Sequence, residues 1–265
     1  MNYSTSQRIT DASAPPEAPQ ELDLVRVVER AALRHTPFDH IRMENVFPAA
    51  LYREMLEHLP AAERYHPLNH PDARQTDGTS TRLRLYLYPE SLLRLPRAQR
   101  LVWGKVAAAL SAQELETALK RKFRTALEDR FQQPAERIPL YPVPILVRDF
   151  PGYRIRIHAD SLKKAITVQL YLPSDTSQAH LGTIFHATGQ DDGTDQPITM
   201  QFLPSSGYAF PVRRKESWHS APTTTEADGE RQSILLTYYV DDSFEKKRKW
   251  RLERAKIFFG RYPKR

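Results

Sequence analysis

At 265 residues the chain is long enough for one large domain or two small ones. It contains no cysteine, which excludes disulfides, thiolate zinc sites and iron–sulfur clusters. Its net charge of +7 would suggest a nucleic-acid partner, but residues 245–265 hold ten Lys/Arg against two Glu, a net of +8, so the rest of the chain carries −1 and has no basic excess.

In chain order, residues 1–20 hold three prolines and small polar residues without an apolar stretch, and are predicted to form a disordered arm rather than an export signal. No run approaches the eighteen apolar residues of a membrane helix, so the expectation is a cytoplasmic protein without a membrane partner. Apolar spacing predicts a helix over 21–33, a short strand within 38–46, and a helix from Pro48 through Leu59. Residues 66–80 are Pro-rich and predicted to be a loop, free to act as a lid. They include His66, His70 and Asp72, a His-x3-His-x-Asp cluster that no regular element would hold in register.

Residues 79–88 alternate through Leu83, Leu85 and Leu87 as a strand should. Helices follow over 98–110 and 112–131, the second opened by Ser111-x-x-Glu114, the spacing of a capping box. The fold class expected is mostly β with flanking helices (α+β). Residues 21–142 form a helical and mixed support, 143–243 a β core, and 244–265 a basic helix or tail, with 21–265 as one folded unit. Leu252, Ala255 and Phe259 in that tail recur at helical steps.

The chemistry is concentrated in the β core. His158-Ala159-Asp160 is followed 59 residues after the aspartate by His219, and 12 residues later by Arg231-Gln232-Ser233. Two imidazoles and one carboxylate can occupy one face of a ferrous ion and leave the other face open. In a strand, residues i and i+2 point the same way, so His158 and Asp160 would reach one metal, sharing their face with Arg154 and Arg156. With nine histidines and 32 acidic residues, about one His-x-acid triplet is expected by chance, so the triplet alone decides nothing. Its company lifts it. Arg231 and Ser233 begin an apolar strand and fall on one face of it, and a guanidinium can hold both oxygens of a carboxylate.

Lys164 lies four residues after Asp160, where it could meet an anionic substrate group or remain solvated. Trp218 is expected to point away from the site into the core. His180 and His186, flanking 181–185, are expected to be surface or supporting residues, because the triad is complete without them.

The ordered set from 143 to 240 resembles the iron(II)/2-oxoglutarate-dependent oxygenases, in particular their prolyl 4-hydroxylase-like branch. The motifs that carry the resemblance are His158-x-Asp160, the strand Lys164–Leu172, Gly182-Thr183-x-Phe185, Gly207-Tyr-Ala-Phe210, Trp218-His219 and Arg231-x-Ser233. The resemblance implies a double-stranded β-helix, or jelly roll, with iron(II) on His158, Asp160 and His219. It implies 2-oxoglutarate on Arg231 and Ser233, with Tyr171 adding a hydroxyl and Thr167 lining the pocket beside it. Lys164 and Arg156 are the substrate-side candidates. Dioxygen would be consumed, with ascorbate as an optional reductant.

The link from His219 to Arg231 is longer than in many relatives, and 223–229 reads as the turn of a hairpin. Asp160 stands where halogenating relatives carry a small residue, so the expected reaction is hydroxylation of an unactivated C–H. A small molecule, an amino acid or natural-product intermediate, is favoured as substrate over a protein or glycan side chain, and the sequence leaves oligomeric state open. Two rival readings are a cupin-like barrel, which would need more histidines along its first strands, and a protein acting through its basic tail.

Overall fold

The computed structural model describes residues 21–68, 73–74, 77–190, 196–240, 252 and 254–255. The expected arm at 1–20, the triplet at 70–72 and all but three residues of the basic tail lie outside them. The chain runs α1 (Leu24–Arg30), β1 (Leu33–Arg34), β2 (His40–Met43), α2 (Ala49–Glu57), β3 (His66–Pro67), β4 (Arg82–Tyr86), α3 (Pro89–Leu92), α4 (Arg97–Leu110), α5 (Gln113–Lys122) and α6 (Arg124–Phe131). The strands then follow as β5 (Leu140–Asp149), β6 (Ile155–Ala159), β7 (Lys164–Tyr171), β8 (Thr183–His186), β9 (Ile198–Met200), β10 (Gly207–Pro211), β11 (Trp218–Ala221) and β12 (Arg231–Val240). No helix among the described residues is long and apolar enough to cross a membrane.

Two antiparallel sheets result. The larger is ordered β1-β2-β10-β7-β12-β5-β4-β3, and the smaller β6-β11-β8-β9. The helices bury Trp103, Val106, Leu110, Leu119 and Leu127 in one cluster with Leu146, Ile166, Val168, Ile234 and Leu236 of the large sheet. Burying such side chains contributes about 1.5–3 kcal/mol each before entropy is counted. A second cluster, including Phe185, Phe202, Tyr171, Tyr208 and Phe210, draws on both sheets. Period-two alternation assigns the faces: Leu85 and Leu87 enter the helix-side core, which turns Arg82, Arg84 and Tyr86 the opposite way.

Glycine is required at two close approaches. A Cβ on Gly207 would lie 2.3 Å from the Gln169 carbonyl oxygen, and one on Gly182 2.0 Å from that of Met200. Backbone cannot yield to such contacts, so only glycine lets β10 and the start of β8 lie this near their neighbours.

Several expected elements differ. The first helix is shorter than 21–33, because Asp23 caps it by accepting from the Arg26 amide and the chain turns extended at Ala31 to make β1. Ser111 closes α4 instead of capping α5; Ala112 precedes α5 without a side-chain cap. The single helix expected over 112–131 breaks at Phe123, whose ring is buried at the joint between α5 and α6. His66 and Pro67, expected in a loop, pair with β4 at the edge of the large sheet, because the Leu68 amide and the Ser80 hydroxyl also reach that strand's end.

Candidate metal centre and carboxylate anchor

β6 and β11 place the two histidines. His158 and His219 are direct cross-strand partners with ring centroids 4.3 Å apart, and Asp160 follows where β6 ends. One ligand atom from each of His158, Asp160 and His219 lies within 4.8 Å of the others, the one such grouping of metal-capable side chains among the described residues.

Each imidazole presents Nδ1 to a backbone carbonyl two residues back, His158 to Arg156 and His219 to Ser217, both at 3.0 Å. A carbonyl only accepts, so Nδ1 carries the hydrogen and the Nε2 lone pair is left for a ligand. Asp160 receives the Lys164 ammonium on one oxygen at 2.5 Å and the Thr167 hydroxyl on the other at 2.7 Å. Burial pushes its carboxyl up, but Lys164, His219 and the hydrogen bonds outweigh this and hold it at about 2. Burial lowers His219 to about 4 against the pull of Asp160. Near neutral pH Asp160 therefore stands as a carboxylate and His219 as a neutral imidazole, the forms a divalent metal binds.

The strand alternation did not carry through β6 as expected. The register of β6 against β11 shifts by one between His219 and Ala221, so one extra residue bulges out near Ile157. The bulge reverses the alternation. Tyr153 and Ile155, expected on the opposite face, line the same cavity as His158 and Asp160, while Arg154 and Arg156 are exposed and outside its wall. Trp218 is also not in the core: its indole covers Gly189 half-buried and donates to the Lys215 carbonyl. His180 meets Asp228 at the surface, and His186 lies 2.8 Å from the Ser220 hydroxyl.

The far wall of this small cavity, about 80 Å³, is formed by Arg231 with Arg82. Larger depressions beside α1 and beside α4 hold no convergent metal-capable cluster among the described residues. Arg231 is 2 % exposed; its Nη1 donates to Asp149 at 2.8 Å, and its Nε and Nη2 have no hydrogen-bond partner. Such buried donors are costly unless a ligand supplies the acceptor.

Tyr171 and Ser233, paired in register across β7 and β12, are not among the residues that line the cavity: the Tyr171 hydroxyl accepts from the Thr183 amide with its ring 5.8 Å from the Arg231 guanidinium, and the Ser233 hydroxyl accepts from Gln169. Thr167 holds Asp160, and Lys164 is its ion-pair partner. The residues that sequence reasoning gave no role are Arg82, Asp149, Gln169, Thr183 and Tyr208. Tyr208 donates to Gln169 at 2.7 Å and lies 3.0 Å from the Thr183 hydroxyl, so these three form one buried polar patch on the cavity wall. The charge at Arg82 was visible in the alternation of 82–88; nothing in sequence marked Asp149.

The chain matches no protein-family model and no curated protein sequence. Solved structures do match its fold. A prolyl-4-hydroxylase from Pseudomonas putida superposes with a TM-score of 0.50 at 16% identity, over 82% of this chain and 98% of that one. A prolyl 4-hydroxylase from Phytophthora capsici gives 0.53 at 13%, over 94% and 80%. The epimerase SnoN, solved with Fe3+, alpha ketoglutarate and nogalamycin RO, gives 0.50 at 11%, over 82% of each chain. At these identities the likeness is one of fold. The fold is like that of these structures, and the grouping of His158, Asp160 and His219 is observed directly in this chain.

Proposed function

We propose that this chain is an iron(II)/2-oxoglutarate-dependent dioxygenase that hydroxylates an unactivated C–H bond, built on a double-stranded β-helix formed by its two sheets. One observation carries the reading: His158, Asp160 and His219 converge in the same cavity whose opposite wall is a buried arginine with two unpartnered N–H groups. The donor set fits ferrous iron, with two imidazoles and a carboxylate on one side and an open side toward the cavity. The orphaned donors of Arg231 fit the distal carboxylate of 2-oxoglutarate, a bidentate partner for a planar fork.

Iron and its co-substrate, once bound, supply the oxidation: dioxygen is consumed, 2-oxoglutarate becomes succinate and CO2, and a substrate C–H becomes C–OH. The protein's residues do the rest. Lys164 and Thr167 fix the orientation of the Asp160 carboxylate, and the carbonyls of Arg156 and Ser217 fix both imidazole rings. Arg231 sets the reach of the co-substrate from the metal, with the Tyr171 ring packed beside its guanidinium and Ser233 tied to Gln169. Tyr153, Ile155 and Leu235 give the cavity apolar wall that limits water.

The absence of a basic excess outside residues 245–265 and of a recognisable peptide-binding repeat favours a small-molecule substrate. Lys164, tied to Asp160, would serve that carboxylate before any substrate, and Arg156 would act only from outside the cavity. The deciding experiment measures succinate formed from 2-oxoglutarate with iron(II) and oxygen, across metabolite pools and prolyl peptides, with His219→Ala as control. Succinate formation that depends on one pool component and is lost in the control is expected; formation that persists in His219→Ala overturns the assignment.

A further inference from the structure

Arg82 of β4, Asp149 at the end of β5 and Arg231 at the start of β12 stand abreast, each arginine directly opposite the aspartate in register. Asp149 is fully buried. Arg82 takes it in a fork, Nε to one oxygen at 2.5 Å and Nη2 to the other at 2.9 Å, with its guanidinium 4.1 Å over the Tyr153 ring. Arg231 reaches the same carboxylate by one bond only. Two guanidiniums share one carboxylate, so the group encloses one net positive charge. A buried pair would need a single arginine, and an extra buried cation is costly without a further anion.

We propose that Arg82 is a positioning residue for the co-substrate anchor: by occupying Asp149 it keeps that carboxylate from neutralising Arg231, whose Nε–Nη2 edge stays open to the distal carboxylate of 2-oxoglutarate. The inference rests on the reading above. A carboxylate with both oxygens available beside a guanidinium pairs with it bidentately. Without Arg82, Asp149 is free to close on Arg231, cancel its charge and consume the edge the ligand needs. Arg82 thus acts through Asp149, on which its Nε and Nη2 are both spent.

The test is a charge cycle read by calorimetry, titrating 2-oxoglutarate into manganese(II)-loaded protein, in which no turnover occurs. Arg82→Met removes the excess charge and is expected to raise the Kd about tenfold or more, leaving manganese affinity within about threefold. Adding Asp149→Asn to Arg82→Met returns the net charge to that of the wild type and is expected to recover most of the loss. A purely structural role for Arg82 would leave the double variant as weak as the single one or weaker. Wild-type affinity in Arg82→Met, or loss without recovery in the double variant, overturns the proposal. Arg82→Gln makes the same charge change and takes the place of Arg82→Met in the cycle should the methionine variant not fold. Failure of the manganese-loaded wild type to bind 2-oxoglutarate overturns the parent reading, an outcome distinct from normal wild-type binding with an indifferent Arg82.

Discussion

His158 and His219 face one another across the β6–β11 ladder as direct partners, so strand pairing closes the 61-residue separation between the two imidazoles. A ligand pair held in this way needs no loop to order on binding, and both rings are already turned by their Nδ1 bonds. His219→Ala is therefore expected to lower iron(II) or manganese(II) affinity by about a hundredfold or more while the far-ultraviolet circular dichroism stays that of the wild type. Asp160→Ala should do the same and additionally leave the Lys164 ammonium without its carboxylate. Equilibrium metal titration checks both, and wild-type affinity in either variant would place the metal elsewhere.

The triad and Arg231 were legible in sequence because their order along strands survives without any knowledge of packing. What the sequence hid was parity. A one-residue bulge in β6 leaves no mark in composition, yet it moved Arg154 and Arg156 out of the site and brought Tyr153 and Ile155 in. Asp149 was hidden for another reason: a carboxylate at the end of an apolar strand reads as a solvated strand end until the register shows an arginine on each side. The helix break at Phe123 was unreadable because local spacing favours continuation and only the burial of that ring decides otherwise.

Arg231 offers a sharper separation of binding from chemistry. Its unpartnered Nε and Nη2 are the fork that a carboxylate would complete, and its remaining bond goes to Asp149. Arg231→Lys keeps the charge but loses the fork, so it should raise the KM for 2-oxoglutarate about ten- to a hundredfold, with kcat falling much less. Initial-rate measurements at saturating and limiting co-substrate check this. An unchanged KM would remove Arg231 from the anchor.

Acid should destabilise the metal-free protein in a window set by the buried imidazole of His219 and the half-buried one of His66. Burial is the main cause that lowers His219 to about 4, and burial followed by Arg84 and Arg94 lowers His66 to about 4, from an ordinary value of 6.5. Between these values the unfolded chain holds protons that the folded chain lacks, so stability rises with pH across roughly 4 to 6.5 and falls on acidification through it. Asp160 acts with the same sign in a lower range: held at about 2, it contributes stability above its ordinary 3.8 that is lost as pH falls through about 2, so it adds little slope inside the window. Urea midpoints for metal-free protein should drop from pH 6.5 to 4, and more shallowly in His219→Gln. A His219→Gln profile parallel to the wild type would show that the buried imidazole is not the source.

Helix α6 bears on the metal centre through Arg130. Its guanidinium donates to the carbonyls of Lys164 at 2.7 Å and Leu162 at 2.5 Å, and also to that of Val212. The first two belong to the turn that carries Asp160 and Lys164, and the third to the segment that leads from β10 toward His219. One side chain therefore ties together the backbone on both sides of the ligand set, and the Val212 amide bonding to Ala165 reinforces the same junction. Arg130→Ala should cost about 2 kcal/mol of stability, because part-buried carbonyls lose their donor. It should also lower metal affinity about tenfold by loosening the spacing between Asp160 and His219. Guanidinium ion at concentrations too low to denature should restore part of the metal affinity in Arg130→Ala and none in the wild type. Stability loss with unaltered metal affinity would confine Arg130 to holding the fold.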